Sequence, residues 1–225
     1  RDVIDKMHMH EILIAYGQTE SSPVVTMTLP DDPIERRVST VGRVMPHQEL
    51  KIVDPATGRT VPRKETGELC FRGYQVMRRY DDNPEATAEA IDANGWLHSG
   101  DLGTMDAEGY VKITGRIKEM VIRGGENIYP REIEIPLEKH PNIAEVAVIG
   151  APDPALGERV RACIVLHPSC SLTAEEVREY LFDKIAKYKI PEFVDFMPEL
   201  PRNPTGKIMK HELKKMPLPK DDPLK

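Results

Sequence analysis

A lysine ends a proline-rich run near the C-terminal end of the sequence, at residues 200–207 (LPRNPTGK). Pro201 and Pro204 fix their φ angles and stiffen this segment, whereas Gly206 lets the backbone approach a ligand closely. A stiff loop that presents the ammonium group of Lys207 suits the binding of a phosphate. For so short a motif, a surface loop that ends in a solvated lysine is an equally good interpretation.

Four further polar motifs precede this loop. They lie at residues 16–20 (YGQTE), 96–101 (WLHSGD), 115–119 (GRIKE) and 123–134 (RGGENIYPREIE). Tyr16 offers a flat face for a base, Thr19 can donate its hydroxyl to a phosphate oxygen, and Glu20 is a hard oxygen ligand of the kind that Mg²⁺ prefers. Asp101 can accept hydrogen bonds from the hydroxyls of a ribose. Each residue alone also fits an ordinary strand end or turn.

Taken together and in this order, the motifs resemble those of the adenylate-forming superfamily, which includes acyl-CoA synthetases, firefly luciferase and the adenylation domains of peptide synthetases. The segments RGYQVM (72–77) and GGEN (124–127) are most similar to those of medium- or long-chain fatty acyl-CoA synthetases. The resemblance covers nearly the whole chain. It implies that a fatty acid is activated by ATP to an acyl-adenylate and passed to CoA, with Mg²⁺ present.

The resemblance assigns ATP or AMP binding to Tyr16, Gly17, Gln18, Thr19, Asp101, Arg116 and Lys207. In this assignment Tyr16 contacts adenine, and Asp101 and Arg116 bind the ribose. The charge of Lys207 would bridge the α-phosphate and the carboxylate during adenylation, which makes it a catalytic residue.

Two further roles in the first half-reaction follow from the same resemblance. Thr19 and Glu20 join Lys207 as catalytic residues, with Glu20 as the ligand of Mg²⁺. Ala15 and Gly17 would form part of the wall of the acyl pocket, since a glycine leaves room for the acyl-adenylate.

The second half-reaction needs the same site cleared for a thiol. Lys118 matches the family's hinge position, about which a C-terminal domain would rotate. Gly124 and Gly125 would line the tunnel for the pantetheine of CoA, and an ordinary hairpin turn is the alternative for this pair. Tyr188 and Lys189 match positions near the CoA nucleotide. The neighbouring Ile190 and Glu192 stand where such relatives can carry cations, which is a departure from the pattern.

The expected fold is α+β. Residues 1–115 are expected to be the end of a large AMP-binding domain with an antiparallel, β-barrel-like subdomain. A hinge at 116–119, a small α+β domain at 120–216 and a disordered tail at 217–225 would follow.

Hydrophobic periodicity and turn signals give the expected elements. In the first part, strands are predicted at 49–53, 68–72, 102–105 and 110–114, with a helix from Asn83 through Ala90. In the second part, strands are predicted at 120–122, 144–149 and 161–166, and helices at 131–140 and from Thr173 to the Lys189-Ile190-Pro191 stop. Pro136 should kink the first of these helices or delay its start.

Composition excludes several classes of protein. The 225 residues carry a net charge of −6 and show no basic stripe, which argues against nucleic-acid binding. The three cysteines are scattered, so neither a disulfide framework nor a zinc site is predicted, and a cytoplasmic location fits. No apolar run approaches the roughly 18 residues that a transmembrane helix requires.

The chain opens at Arg1, and no Ser/Thr/Gly-rich phosphate loop precedes Tyr16. We therefore expect a fragment whose partners are small molecules and the missing N-terminal part of the same enzyme; a homodimer stays open. A ligase that loads a carrier protein, a luciferase-like oxygenase, and an inert binding module are the alternative functions.

Overall fold

The structure is a computed structural model that describes residues 2–218. The chain divides into two compact units between Ile117 and Lys118. The first unit contains three helices, α1 (Asp2–Met7), α2 (Ile34–Ser39) and α3 (Pro84–Ala90). Its strands are β1 (Ala15–Gly17), β2 (Val24–Met27), β3 (Arg43–Val44), β4 (Gln48–Val53), β5 (Gly67–Gly73), β6 (Leu97–Met105) and β7 (Val111–Arg116).

The strands of the first unit form two antiparallel sheets. One has the order β1-β2-β3 and the other β4-β5-β6-β7, so the second is a meander in which each strand pairs with the next. Its inward-facing apolar side chains, among them Leu69, Phe71 and Leu97, form a core with Val25 from β2. The pairing of β6 with β7 places Asp101 directly opposite Arg116.

Local signals account for helix α3. Asn83 accepts a hydrogen bond from the Ala86 N–H through its side chain (3.0 Å), and Pro84 occupies the first turn, where a missing N–H costs nothing. The predicted helix from this Asn-Pro pair through Ala90 is therefore confirmed.

The second unit contains the helices α4 (Pro130–Leu137), α5 (Ala174–Phe182) and α6 (Lys210–Leu213). Its strands are β8 (Val121–Arg123), β9 (Glu126–Ile128), β10 (Ile143–Asp153), β11 (Gly157–Leu166) and β12 (Phe193–Phe196). They form one sheet in the order β10-β11-β8-β9, with β12 parallel to β11. Alternate residues of β10 and β11 feed two cores: Val146, Val148 and Ile164 pack with α4 and α5, while Ala147, Ile149 and Cys163 pack with Leu200 and Leu213.

The predicted capping box of α5 is confirmed, because the Thr173 hydroxyl accepts from the Glu176 N–H and the Glu176 carboxylate accepts from the Thr173 N–H. Two predictions about helix bounds are wrong. Helix α5 ends at Phe182, and a separate 3₁₀ turn at Lys187–Lys189 precedes Pro191. Helix α4, predicted at 131–140, spans Pro130–Leu137, so it ends three residues early and does not start late. Pro136 lies one residue before its end, where few turns remain to be disrupted, and the kink expected there stays a prediction.

The mixed α+β class with antiparallel sheets is confirmed. The barrel-like closure of the first unit is not found: within residues 2–218 the sheets are separate and open. Among the described strands, β1–β3 form ladders only with one another, although Val41 and Gly42, just before β3, exchange two backbone hydrogen bonds with Val111 on β7.

Arg161 on β11 is a buried cation that fastens the end of the described chain. Its Nε donates to Asp195 on β12, and its terminal nitrogens donate to the carbonyl oxygens of Met216 (3.0 Å) and Pro217 (2.8 Å). Pro217 belongs to the segment predicted to be a tail, of which residues 219–225 lie outside the described residues.

We expect Arg161→Met to lower the free energy of unfolding by about 3–5 kcal/mol, because Asp195 and two carbonyl groups lose their buried partner. Lys215→Met is the matched control, since Lys215 is exposed and pairs with Glu212; its loss should cost about 0–1 kcal/mol. Urea unfolding followed by far-UV circular dichroism measures both. Equal losses in the two variants would contradict the role assigned to Arg161.

Candidate functional site

Three residues from three different motifs meet in the first unit. The Tyr16 hydroxyl donates to Asp101 Oδ2 (2.6 Å), and the Arg116 Nε donates to Asp101 Oδ1 (2.9 Å). Asp101 is buried, whereas the Arg116 side chain is largely exposed. Each carboxylate oxygen keeps a second lone pair, so the carboxylate can still accept from two further donors such as vicinal hydroxyls.

Tyr16 is held in one orientation by these contacts. Its ring packs edge-on against Phe71, with the ring centroids 6.0 Å apart. Burial raises the pKa of the Tyr16 hydroxyl well above its ordinary value, and the hydrogen bond to Asp101 raises it further. The hydroxyl is therefore a permanent donor at neutral pH, and its hydrogen bond positions the carboxylate.

The turn that carries Asp101 is fixed by Glu68, which sequence reasoning missed. Glu68 Oε1 accepts from the Gly100 N–H (3.0 Å), and Oε2 contacts His98 Nδ1 (2.7 Å). Gly100 has a φ of +71°, which a glycine adopts readily. The sequence around Glu68 gives no signal for this role, because its hydrogen bond with Gly100 joins residues 32 positions apart.

Glu68, His98 and the buried Cys70 also form a group that could hold a metal ion, with Cys70 Sγ 3.5 Å from His98 Nδ1. Burial, and after it the charge of Glu68, raises the pKa of the Cys70 thiol to about 12. A neutral thiol is a weak ligand. The hydrogen bonds that Glu68 makes already account for the arrangement of this group.

Thr19 and Glu20 lie in a 3₁₀ turn, Thr19–Ser21, directly after β1. The turn is closed by Ser21, whose hydroxyl donates to the Gln18 carbonyl (2.9 Å) and accepts from the Gln18 N–H (3.0 Å). Thr19 is exposed. Glu20 Oε1 accepts from the Tyr80 hydroxyl (2.9 Å), and this hydrogen bond raises the pKa of Tyr80.

Tyr80 was not predicted as a site residue. It lines a cavity of about 470 Å³ together with Arg78, Arg79 and Thr87, and its hydroxyl is the group that contacts the carboxylate of Glu20. The contact spans 60 positions, and nothing local in the sequence indicates it.

Gly17 is required by the fold itself. A Cβ atom there would lie 1.6 Å from the Pro23 carbonyl oxygen, at the irregularity in the pairing of β1 with β2. The glycine therefore has a structural reason besides the predicted role in the acyl pocket. Ala15, the other residue predicted for that pocket, is exposed on β1.

The Lys207 loop in the second unit is organised by Asn203. Its side-chain oxygen accepts from the backbone N–H groups of Thr205 (3.1 Å) and Lys207 (2.8 Å), and the Asn203 N–H donates to the Lys207 carbonyl (2.9 Å). Gly206 has a φ of +84° and open space around it, so this turn selects glycine for its torsion angle. The loop holds the backbone of Lys207 and leaves its side chain exposed.

Arg202 anchors the same loop to the sheet. It bonds to Glu145 on β10 (2.7 Å) and to the carbonyl of Gly206, and it pairs with Ile208 in an isolated β-bridge. The prolines were expected to supply the stiffness of this loop. The structure adds the polar contacts of Asn203 and Arg202. The hydrogen bond from the Thr205 N–H to the Asn203 side chain follows the pattern of an Asx turn.

Lys118 is exposed in the middle of a 3₁₀ turn, Ile117–Glu119, at the division between the units. Gly124 and Gly125 form the two-residue loop between β8 and β9, with φ angles of +57° and +89°. Two positive φ angles are what a type I′ hairpin requires. The hairpin alternative thus explains both glycines without a ligand, and the predicted tunnel role remains a prediction.

Tyr188 and Lys189 lie in the 3₁₀ turn before β12. Burial disfavours the charged form of Lys189, but its ion pair with Glu132 prevails and raises the pKa of the ammonium. Glu192, noted as a departure, is paired with Arg123 (2.6 Å). Lys189 and Glu192, near the predicted CoA nucleotide position, are therefore each paired with an opposite charge within the unit.

Known proteins match both units. The model of the AMP-binding enzyme family matches residues 1–81, and that of the AMP-binding enzyme C-terminal domain matches residues 132–207. The Bacillus subtilis (strain 168) protein YngI, named provisionally as an acyl-CoA synthetase, is 50% identical over 94% of this chain and 39% of its own length. The medium-chain acyl-CoA ligase ACSF2 of Bos taurus, described as mitochondrial, is 44% identical over 95% of this chain and 35% of its own length.

A solved structure agrees with these matches. MatB from Rhodopseudomonas palustris with ATP bound has a TM-score of 0.85 and 37% identity over 92% of this chain and 40% of its own. The chain thus spans 35–39% of the length of the curated relatives it matches, in accord with the expectation that it is part of a longer protein. Within residues 2–218, no helix has the length and apolar content to cross a membrane. With both family models matched and acyl-CoA synthetases among its relatives, the chain belongs to the AMP-binding enzyme family.

Proposed function

We propose that this chain is part of an AMP-forming fatty acid–CoA ligase, which activates a fatty acid with ATP and transfers the acyl group to CoA. The observation that carries the proposal is the contact of Tyr16, Asp101 and Arg116. Tyr16 and Asp101 are 85 positions apart in the sequence, yet their side chains are hydrogen-bonded. The Asp101 carboxylate still has free lone pairs that can accept from the hydroxyls of a ribose. The experiment is ATP–pyrophosphate exchange by the full-length enzyme across a series of straight-chain and aromatic carboxylic acids.

Glu20 is the proposed ligand of Mg²⁺. The Oε1 of its half-buried carboxylate accepts from Tyr80, and among residues 2–218 its Oε2 has no hydrogen-bond partner. A carboxylate with one free oxygen suits Mg²⁺, which keeps most of its water ligands and is also bound by phosphates. When bound, the ion supplies charge neutralisation at the phosphates. Thr19, exposed beside it, is proposed to donate to a phosphate oxygen.

In the same proposal Lys207 binds the α-phosphate and the carboxylate. Lys118 is the hinge that exchanges this arrangement for one in which Gly124, Gly125, Tyr188 and Lys189 contact CoA. Rigid presentation of Lys207 and the location of Lys118 at the division between the units support these roles.

We expect Asp101→Ala in the full-length enzyme to weaken binding of ATP, or of a non-hydrolysable acyl-adenylate analogue, by about 1–3 kcal/mol, because ribose donors lose their acceptor. Asp54→Ala is the matched control, since among the described residues the Asp54 carboxylate accepts hydrogen bonds only within its own turn. Isothermal titration calorimetry gives both affinities, and thermal melting checks that the variants are folded. Unchanged affinity in folded Asp101→Ala would exclude Asp101 from the ribose site.

Two alternatives share the adenylation step and differ in what accepts the acyl group. A ligase that loads a carrier protein would form pyrophosphate but no thioester with free CoA, and a luciferase-like oxygenase would consume O₂ after adenylation. Titration of this chain with ATP separates a partial nucleotide site from an inert module. A cytoplasmic location is proposed from the three free cysteines, which suit a reducing compartment.

A further inference from the structure

Lys210, at the start of α6, makes contacts that the assigned roles do not use. Its ammonium group lies 2.8 Å from Glu119 Oε2 and 2.7 Å from Glu134 Oε1. Only 18% of the Lys210 side chain is exposed, so solvent weakens these ion pairs less than it weakens those on the surface. Lys210 thus joins the 3₁₀ turn that contains Lys118 and Glu119 to helix α4 and to the segment that follows Lys207.

The Glu134 side of this arrangement is fixed to the sheet. Glu134 is 8% exposed, and its Oε1 also accepts from the Val148 N–H in the middle of β10 (2.9 Å). A buried carboxylate with a backbone donor and a cation has its bonding groups satisfied. Lys210 is consequently held at a defined point above β10, three residues after Lys207.

The Glu119 side reaches the proposed hinge. Glu119 is the last residue of the 3₁₀ turn Ile117–Glu119, and directly follows Lys118. Lys118, Glu119, Ile208 and Lys210 line one cavity of about 260 Å³. The beginning of the second unit and the end of the Lys207 loop are therefore neighbours.

We propose that Lys210 is a positioning residue for Lys207: its two ion pairs make the turn at Glu119, the sheet and the Lys207 loop one rigid piece. This inference rests on the proposed function. Because Glu119 is tied to that piece, a rotation of the second unit is confined to Lys118 and the residues before it. Each rotation then returns Lys207 to the same place.

The test uses Glu119→Gln in the full-length enzyme, because this change weakens the hinge-side ion pair and leaves Lys210 paired with buried Glu134. The rate constant kcat for ATP–pyrophosphate exchange should fall about tenfold, since small displacements of a catalytic group are costly. The KM for ATP should stay within about twofold, since the ribose contacts of Asp101 lie in the first unit. Hydrogen exchange should become faster at residues 117–121 and 205–210.

Three further variants separate positioning from stability. In a Lys207→Ala background, Glu119→Gln should cause no further loss of ATP–pyrophosphate exchange activity, whereas a loss of folded enzyme would lower that activity again. Lys210→Arg, which can still bridge two carboxylates, should retain at least half of the activity. Glu212→Gln on α6 is the matched control, because Glu212 is 37% exposed against 35% for Glu119 and also pairs with a lysine.

Unchanged hydrogen exchange in Glu119→Gln, or an equal loss of activity with and without Lys207, would overturn the proposal. If the unmodified enzyme activates no carboxylic acid, the proposed function fails instead. The hydrogen-exchange comparison then still decides whether Lys210 couples the two segments.

Discussion

Replacing Lys207 by alanine in the full-length enzyme should lower acyl-adenylate formation by about 10²–10³-fold. Negative charge develops at the α-phosphate in the transition state, and loss of one preorganised donor or cation at such a position has an effect of this order. The structure strengthens the argument for preorganisation. Asn203 binds the Lys207 backbone through two hydrogen bonds and accepts a third from the Thr205 N–H, and Arg202 ties the loop to β10.

ATP–pyrophosphate exchange measures the first step, and thioester formation from supplied acyl-adenylate measures the second. The second step should survive in Lys207→Ala, because the carboxyl group of the supplied acyl-adenylate is already joined to the α-phosphate as a mixed anhydride. Lys215→Ala is the control, since Lys215 is 67% exposed and pairs only with Glu212 among the described residues. A loss in both steps, or an equal loss in the control, would contradict the role of Lys207.

The loop that carries Lys207 shows which parts of a site can be predicted from sequence. Gly206 and the two prolines indicate a stiff turn, because their torsional preferences are intrinsic. Asn203 could have been identified from its position two residues before Thr205, which favours an Asx turn. The anchor from Arg202 to Glu145 could not, because it depends on how a loop lies against a strand 57 residues earlier.

The same distinction applies to the elements. The starts of α3 and α5 were predicted correctly because a cap is a local hydrogen bond between residues three positions apart. The end of α5 was not: the pattern of apolar residues runs on to Ile185, but the regular helix stops at Phe182. Ile185 still packs on the core from an irregular turn, so periodicity predicted its burial and not its conformation.

The ribose site depends on contacts that only the fold creates. The alignment of Asp101 with Arg116 follows from the register of β6 and β7, which a bulge shifts between Leu102 and Gly103. Register sets which side chains share a face, and no local signal fixed it here. Their joint role was therefore predicted only through resemblance to a family, and Glu68, which holds the turn before Asp101, was missed.

Replacing Lys118 by proline should have the opposite effect to Lys207→Ala: it should slow transfer of the acyl group to CoA and leave adenylation intact. Proline fixes φ near −65° and removes the backbone N–H, so rotation about the hinge should be blocked in one of its two positions. If the adenylation position is retained, the variant releases pyrophosphate at close to the normal rate and forms CoA thioester at least about tenfold more slowly. Lys118→Ala is the control, because it removes the side chain and leaves φ free.

The two measurements on Lys118→Pro decide whether the hinge lies at this residue. The ion pair between Glu119 and Lys210 limits how far neighbouring torsions can compensate, so the block should not be bypassed one residue later. Normal thioester formation in the proline variant would place the rotation elsewhere in the chain. If Lys118→Pro and Lys207→Ala each slowed adenylation and thioester formation equally, one conformation would serve both half-reactions. The two-conformation mechanism would then be wrong for this protein.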